Sequence, residues 1–210
     1  MVIRVLLADD HPVVRAGLRQ ILADAPDIAV VGEAADGPAV VERVAATHPD
    51  VVVLDVAMPG APFVGLLRTL KRAYPRVAVL VLSVHPEDQY AVRAFRSGAA
   101  GYLTKERSPE LLVAAIRKVA QGGRSVPDAI AERLVTAHAP GGATELHETL
   151  SEREYEVLCL LGSGKTVKDV AAHLDLSPKT VSTFRARILH KMGLRTSADL
   201  IRYALKHELA

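Results

Sequence analysis

The sequence has no tryptophan, a single cysteine and few aromatic residues of any kind. One cysteine, Cys159, excludes an intrachain disulfide and removes any cysteine-based zinc site; it reads as a small apolar core residue. No apolar run approaches the ~20 residues of a membrane span. No apolar segment follows a basic start as in a signal peptide, so the expectation is a cytoplasmic chain with no membrane partner. Charge of one sign is also missing: the formal net charge is only +2. Its distribution is more informative. Residues 1–120 carry 14 Lys/Arg against 13 Asp/Glu, and residues 151–210 carry 10 against 7. The C-terminal part is mildly basic, which permits a nucleic-acid partner without requiring one. There is no internal repeat and no low-complexity tract. What remains is rich in Ala and Val: 210 residues, 50% hydrophobic, enough for one large or two small domains with a real core.

In residues 1–121 the apolar runs VIRVLLA, IAVVGEA, DVVVLD, VAVLVLS and AAGYLTK alternate with longer segments of helical period. Nearly unbroken apolar strands alternating with helices predict an α/β fold, a doubly wound parallel sheet of five strands covered on both faces. Val14, Leu18, Ile21 and Leu22 share one helix face, and Val40, Val41, Val44 and Ala45 share another. The segment SPELLVAAIRKVAQGG opens with Ser108 as N-cap and Pro109 at the first helical position, and stops at Gly122 and Gly123. Residues 122–147 change character, with one short helical pattern at about Asp128 to Thr136 and then APGGAT; this reads as an interdomain linker. Residues 148–210 are helical throughout and predict an all-α domain of four helices. The first has Ser151 and Glu154 at capping-box spacing. The third has Ser177 as N-cap, Pro178 at the first position and Gly193 as its stop.

Two adjacent carboxylates, Asp9 and Asp10, end the first apolar run, and Asp55 ends the third. In a doubly wound sheet, ligands bind beyond the carboxyl ends of the strands. Mutual repulsion of three acids there is tolerable with a hard divalent cation among them, and Mg²⁺ needs only one or two carboxylates and a carbonyl besides water. Ser83 and Lys105 end two further strands. A hydroxyl and an ammonium beside a metal-bound carboxylate suit a phosphoryl group, and the carboxylate itself can be the nucleophile. Any one of these residues alone is better explained as a turn former or cap. The constellation is more specific.

The ordered set Asp9–Asp10, Asp55 with MPG downstream, Ser83, and GYLTK ending in Lys105 resembles a response-regulator receiver domain, a flavodoxin-like fold, over about residues 1–120. The resemblance implies that Asp55 is the phosphoacceptor. It implies Mg²⁺ on Asp10, Asp55 and the backbone carbonyl of Ala57, with Asp9 acting through water, and Lys105 pairing with the phosphoryl group. Ser83 and Tyr102 would be the switch pair, the hydroxyl moving toward phosphate and the ring turning inward. Pro59 and Gly60 match the loop after the phosphoacceptor, whereas Phe63 and Val64 stand where smaller or polar residues are common in that family. His11, His48, His85 and His173 lack a common metal-ligand spacing and read as surface or capping residues.

In the C-terminal domain a short helix followed by a Pro-started helix suggests helix-turn-helix. The segment from Ser177 to Met192 is basic and holds no acid. Val181, Phe184, Ile188, Leu189 and Met192 form its apolar stripe. Lys179, Ser182, Thr183, Ala186 and His190 lie opposite, polar and small enough for a major groove; Arg185 and Arg187 flank them within reach of phosphates. The segments LSEREYEVLCLL, VAAHLDLSPKTVSTFRARILHKMGL and ADLIRYAL resemble the LuxR-type four-helix DNA-binding domain over about residues 148–207. The resemblance implies base contacts from Lys179, Ser182, Thr183 and Ala186, with Thr180, Arg185, Arg187 and Lys191 completing the expected interface to double-stranded DNA. Phe184 replaces the Tyr or His usual there. The last helix, with Leu200, Ile201, Tyr203, Ala204 and Leu205, has more apolar surface than one-sided packing needs, and the family uses it for homodimerisation.

Together the halves resemble a NarL/FixJ-type response regulator, which implies a partner histidine kinase and phosphorylation-controlled DNA binding rather than an enzyme. A phosphohydrolase using Asp55 would need a lidded substrate pocket. A small-ligand-sensing LuxR-type regulator would need an apolar cavity. A Rossmann oxidoreductase would need a Gly-rich turn where ADDHP stands.

Overall fold

The five apolar runs form five strands in the structure, a computed structural model of the chain: β1 (Ile3–Ala8), β2 (Ile28–Ala34), β3 (Val51–Asp55), β4 (Ala78–Ser83) and β5 (Gly101–Thr104). The structure describes residues 2–83, 87–105, 108–127, 130, 146–207 and 209. The short helical pattern at about 128–136, apart from the buried Ile130, falls outside the described residues, as do the APGGAT stretch and His85. The chain divides into two units, Met1–Gly141 and Gly142–Ala210.

In the first unit all strands are parallel, in the order β2-β1-β3-β4-β5. Between them run α1 (Pro12–Ala23), α2 (Gly37–Thr47), α3 (Phe63–Ala73), α4 (Glu87–Arg96) and α5 (Pro109–Ala120). The sheet is covered on both faces, which is why β3 is buried at every residue. Val5, Leu7, Val51, Val53, Leu80 and Leu82 pack in one core with Leu18 and Leu22 of α1 and Leu112 and Ile116 of α5. Leu6, Val52, Leu54, Val79 and Val81, also buried, alternate with these and face the other side.

Phe63 and Val64, unusual by family pattern, are core residues buried in the first turn of α3. Helix α2 is less sunken than its sequence suggests. Val40 and Val44 are fully buried, but Ala45 is exposed. The helix flanks β2, the outermost strand, so a narrower stripe is enough to seal it. After α5 the chain returns to the far edge of the sheet. Ser125 donates to the Ala100 carbonyl and accepts from the Tyr102 amide, so β5 is partly covered by it. A Cβ on Gly101 would lie 2.7 Å from Leu80 Cδ1 and 3.0 Å from Ser125 Cβ, which is why glycine stands at this crossing.

The second unit opens with a 3-10 turn, Leu146–Thr149, and then has four helices: α6 (Glu152–Gly162), α7 (Val167–His173), α8 (Pro178–Lys191) and α9 (Ser197–Lys206). Capping signals set the starts. Thr166 with Asp169, and Thr196 with Asp199, form reciprocal capping boxes, and the Ser177 hydroxyl accepts from the Thr180 amide. Between α7 and α8 the chain reverses at Asp175, φ 51°, a left-handed position that a short polar side chain tolerates. Leu158, Val170, Val181, Ile188, Leu200 and Ala204 are buried in this unit, as is Cys159. His147, also buried, meets the Tyr203 hydroxyl at 3.0 Å and ties the 3-10 turn to α9.

Candidate functional site

Strand order reverses at β1, which has β2 on one side and β3 on the other, and this topological switch point is where a doubly wound sheet binds ligands. Asp9 and Asp10 follow β1 there, and Asp55 ends β3. Asp9 is almost fully buried and firmly held. Its Oδ1 accepts the His11 amide at 2.8 Å, and its carbonyl accepts Arg15 Nη1 at 2.6 Å. Arg15 is itself braced by Glu33 of β2 at 2.9 Å. Lys105, just past β5, reaches across the sheet end so that its Nζ lies 2.7 Å from Asp9 Oδ2 and 3.0 Å from Asp55 Oδ1.

One ammonium thus answers two of the three carboxylates directly, and Asp10 meets the His11 ring instead. Burial pushes the Asp55 carboxyl above its usual range; Lys105 opposes this by charge and hydrogen bond, while Asp9 and Asp10 add to the upward push. Burial pulls the Lys105 ammonium down, but Asp9 and Asp55 together outweigh it, and its pKa is raised. The cluster is short of positive charge. Its donor set fits a divalent cation on a further ground: Asp10 Oδ1 is buried and meets only the His11 ring, at 2.7 Å and without hydrogen-bond geometry. Among the described residues, Asp9, Asp10, His11 and Asp55 each offer a ligand atom, all within 4.8 Å of one another. His11, read from sequence as a surface or capping residue, is exposed and at the N-cap position of α1, beside these acids.

Ser83 ends β4, between the strands that end in Asp55 and Thr104, and is buried. Its carbonyl accepts the Lys105 amide at 2.8 Å, so β4 and β5 stay paired up to the site. Tyr102, on β5, is fully buried. Ala57 is exposed in the turn directly after β3. Gly60, φ 84°, lies close against Pro38 in the loop that follows, and the Pro59 carbonyl accepts the Gly37 amide at 2.8 Å. An apolar cleft of about 200 Å³ runs between α1 and α5, lined by Val14, Leu18, Ile21, Leu103 and Leu112 among others. That is below the ~300 Å³ at which small-molecule pockets begin.

The second site is a surface. On α8, Val181 and Ile188 are buried, Phe184 and Leu189 partly so, while Lys179, Ser182, Thr183, Ala186, Arg187 and His190 are exposed. Ser177, Lys179, Thr180, Thr183, Phe184 and Arg187 line one shallow groove. The hydroxyls of Ser182 and Thr183 donate to the carbonyls four residues back, Pro178 and Lys179, at 2.9 and 3.0 Å. They therefore present acceptor lone pairs and a methyl outward, not free donors. Two basic residues of the expected interface are engaged inside the unit. Lys191 Nζ lies 2.6 Å from the buried Glu154 carboxylate, and Arg185 donates to Ser197 at 3.2 Å. Burial alone would push Glu154 up, but Lys191 and the amide and hydroxyl of Ser151 hold its pKa below the usual 4.5.

None of the described helices is long and apolar enough to cross a membrane. Residues 5–117 match the response regulator receiver domain, and residues 148–204 match the bacterial regulatory proteins of the luxR family. The response regulator UvrY of Escherichia coli is 38% identical over 208 residues, covering 99% of this chain and 95% of that one. The response regulator GacA of Pseudomonas aeruginosa is 37% identical over 206 residues, covering 98% of this chain and 96% of that one. RcsB, solved as two dimers bound to two parallel DNAs, matches with a TM-score of 0.60 at 26% identity, covering 97% of this chain and 98% of the other. Five parallel strands closing on an acid cluster, followed by a helix-turn-helix unit, agree with these likenesses throughout: the chain belongs to the two-component response regulators that join a receiver domain to a LuxR-family DNA-binding domain.

Proposed function

We propose that Asp55 is the phosphoacceptor, that a sensor histidine kinase is the donor, and that phosphorylation switches sequence-specific binding of double-stranded DNA by a cytoplasmic homodimer. The observation that carries this is Lys105, whose ammonium spans the buried Asp9 and Asp55 at 2.7 and 3.0 Å in a cluster otherwise short of cations. In the transfer, an Asp55 carboxylate oxygen bonds to phosphorus as the bond from phosphorus to the kinase imidazole nitrogen breaks, and the electron pair stays with that nitrogen. Lys105 is placed to neutralise charge on the phosphoryl oxygens, and Ser83, at the neighbouring strand end, to donate a hydrogen bond. Asp10, Asp55 and the Ala57 carbonyl, with Asp9 through water, are the groups that would hold Mg²⁺, which supplies further charge neutralisation at the phosphoryl oxygens.

Phosphorylation adds ~1.5–2 negative charges and new acceptor oxygens, drawing on Lys105 and Ser83. Ser83 and Tyr102 are the proposed switch pair, one at the end of β4 and the other on its partner strand β5. In our reading the receiver spans residues 1–121, the linker 122–147 and the DNA-binding domain 148–210. On α8 the exposed Lys179, Ser182, Thr183, Ala186 and Arg187 and the partly exposed Thr180 are the proposed DNA contacts; Arg185 and Lys191 would contribute from the flank. Lys179 makes the one strong charged contact to bases, and Arg187 reaches phosphate. The partly exposed outer side of α9, with Leu205 63% exposed, supports dimerisation there, and the likeness to the DNA-bound RcsB dimers supports both readings.

Intact-mass spectrometry after incubation with acetyl phosphate and Mg²⁺ tests the phosphoacceptor. The expected result is a labile gain of ~80 Da, one phosphoryl group, in the wild type only. It should be absent in Asp55→Asn and absent without Mg²⁺. No adduct on folded wild-type protein would overturn the assignment.

A further inference from the structure

His11 occupies the N-cap position of α1, but its side chain makes no capping hydrogen bond. The following Pro12 holds its backbone extended, at φ −90° and ψ 111°. Its amide is fixed on Asp9 Oδ1. Those constraints aim the imidazole back at the acids: Nδ1 lies 2.7 Å from Asp10 Oδ1 and 3.4 Å from Asp9 Oδ1.

The shorter contact is an ion-pair distance that does not meet hydrogen-bond geometry. An imidazole nitrogen and a carboxylate oxygen at this spacing also fit neighbouring positions on one cation. Neighbouring ligands on one octahedral ion with bonds of about 2.1 Å are about 3 Å apart, and opposite ones about 4.2 Å. Asp9, Asp10, His11 and Asp55 each offer one ligand atom, all within 4.8 Å of one another, and Nδ1 is the His11 nitrogen in contact with the acids. We propose that His11 Nδ1 is a ligand of the divalent cation held by Asp10 and Asp55. The site is then of mixed nitrogen and oxygen character. Its preference moves away from Mg²⁺, which favours oxygen, toward first-row transition ions such as Mn²⁺.

The inference rests on reading the acid cluster as a cation site, and its test separates the two. Mn²⁺ is added to the full chain, and binding is read from the loss of the free-ion electron paramagnetic resonance signal. Electron spin-echo modulation of the bound ion then reports directly coordinated nitrogen. Wild type should show imidazole nitrogen coupling that is absent in His11→Ala. His11→Ala should weaken Mn²⁺ about tenfold and Mg²⁺ less than about twofold. His11 is largely exposed, so the variant should fold, which circular dichroism checks. Mn²⁺ that binds, is lost in Asp10→Asn and shows no nitrogen coupling would overturn the ligand role of His11 while leaving the acid site standing. Mn²⁺ uptake indifferent to Asp10→Asn would overturn both.

Discussion

The two units place their working groups in opposite ways. In the first, the site joins residues far apart in the chain: Lys105 and Asp9, 96 positions apart, meet in a buried cluster at the ends of separate strands. In the second, the exposed residues of α8 from Lys179 to Arg187 are neighbours in sequence on one solvent-facing side of one helix. A site of the first kind depends on every strand that brings it together, and it strains the fold with concentrated charge. A face of the second kind costs the fold little, because its side chains are solvated whether the unit is folded or not. Function and stability should therefore be tightly linked in the first unit and nearly separable in the second.

The strongest way to break that contrast is Lys105→Met. It leaves Asp9 and Asp55 buried against each other with no ammonium between them. Stability at neutral pH should fall by about 3 kcal/mol, the size of a broken buried ion pair. Mg²⁺ should recover part of it, because it meets the same charge deficit. Denaturant melts of the full chain with and without Mg²⁺ check both; an unchanged midpoint would mean that the acids do not strain this fold.

Next in size is Lys191→Met, in the second unit, where an exposed lysine reaches a buried carboxylate. It leaves the almost fully buried Glu154 with Ser151 alone, and we expect a loss of about 1–2 kcal/mol, reduced because the Lys191 side chain is partly solvated. The pH dependence has a definite sign. The folded pKa of Glu154 lies below its usual 4.5, so the unfolded chain takes up this proton first. Its contribution is complete above about pH 4.5 and is lost as the pH falls through the folded value. In Lys191→Met that part of the acid destabilisation should shrink.

Smallest in stability is Lys179→Ala on the exposed face of α8, expected to stay within about 0.5 kcal/mol of wild type. Its effect belongs to DNA binding, a loss of about tenfold, read by fluorescence anisotropy at fixed salt. A large loss of stability here would blur the contrast between the units.

Much of this was legible because the signals were local. Continuous apolar runs gave the strands, and Ser108, Ser177 and Pro178 gave helix starts at the positions found. The exposed and buried faces of α8 follow from its 3.6-residue period. Where prediction and structure differ, the missing information was spatial. Ala45 shares a face with Val44 by period, but its exposure follows from the edge position of β2. Lys191 reads as one more basic residue until Glu154 is seen beneath it. His11 reads as a cap until the pre-proline backbone turns its ring toward Asp10.

The sequence by itself determined that there would be a parallel α/β half and a helical half, and which carboxylates would lie at strand ends. Periodicity and capping act over a few residues, so the chain spells them out directly. Only the tertiary structure decided that Lys105 bridges Asp9 and Asp55, that the His11 ring is set against Asp10, and that Arg185 and Lys191 of α8 bond within their own unit. Those outcomes depend on strand order and on burial, and both arise from contacts between segments that the linear chain keeps apart.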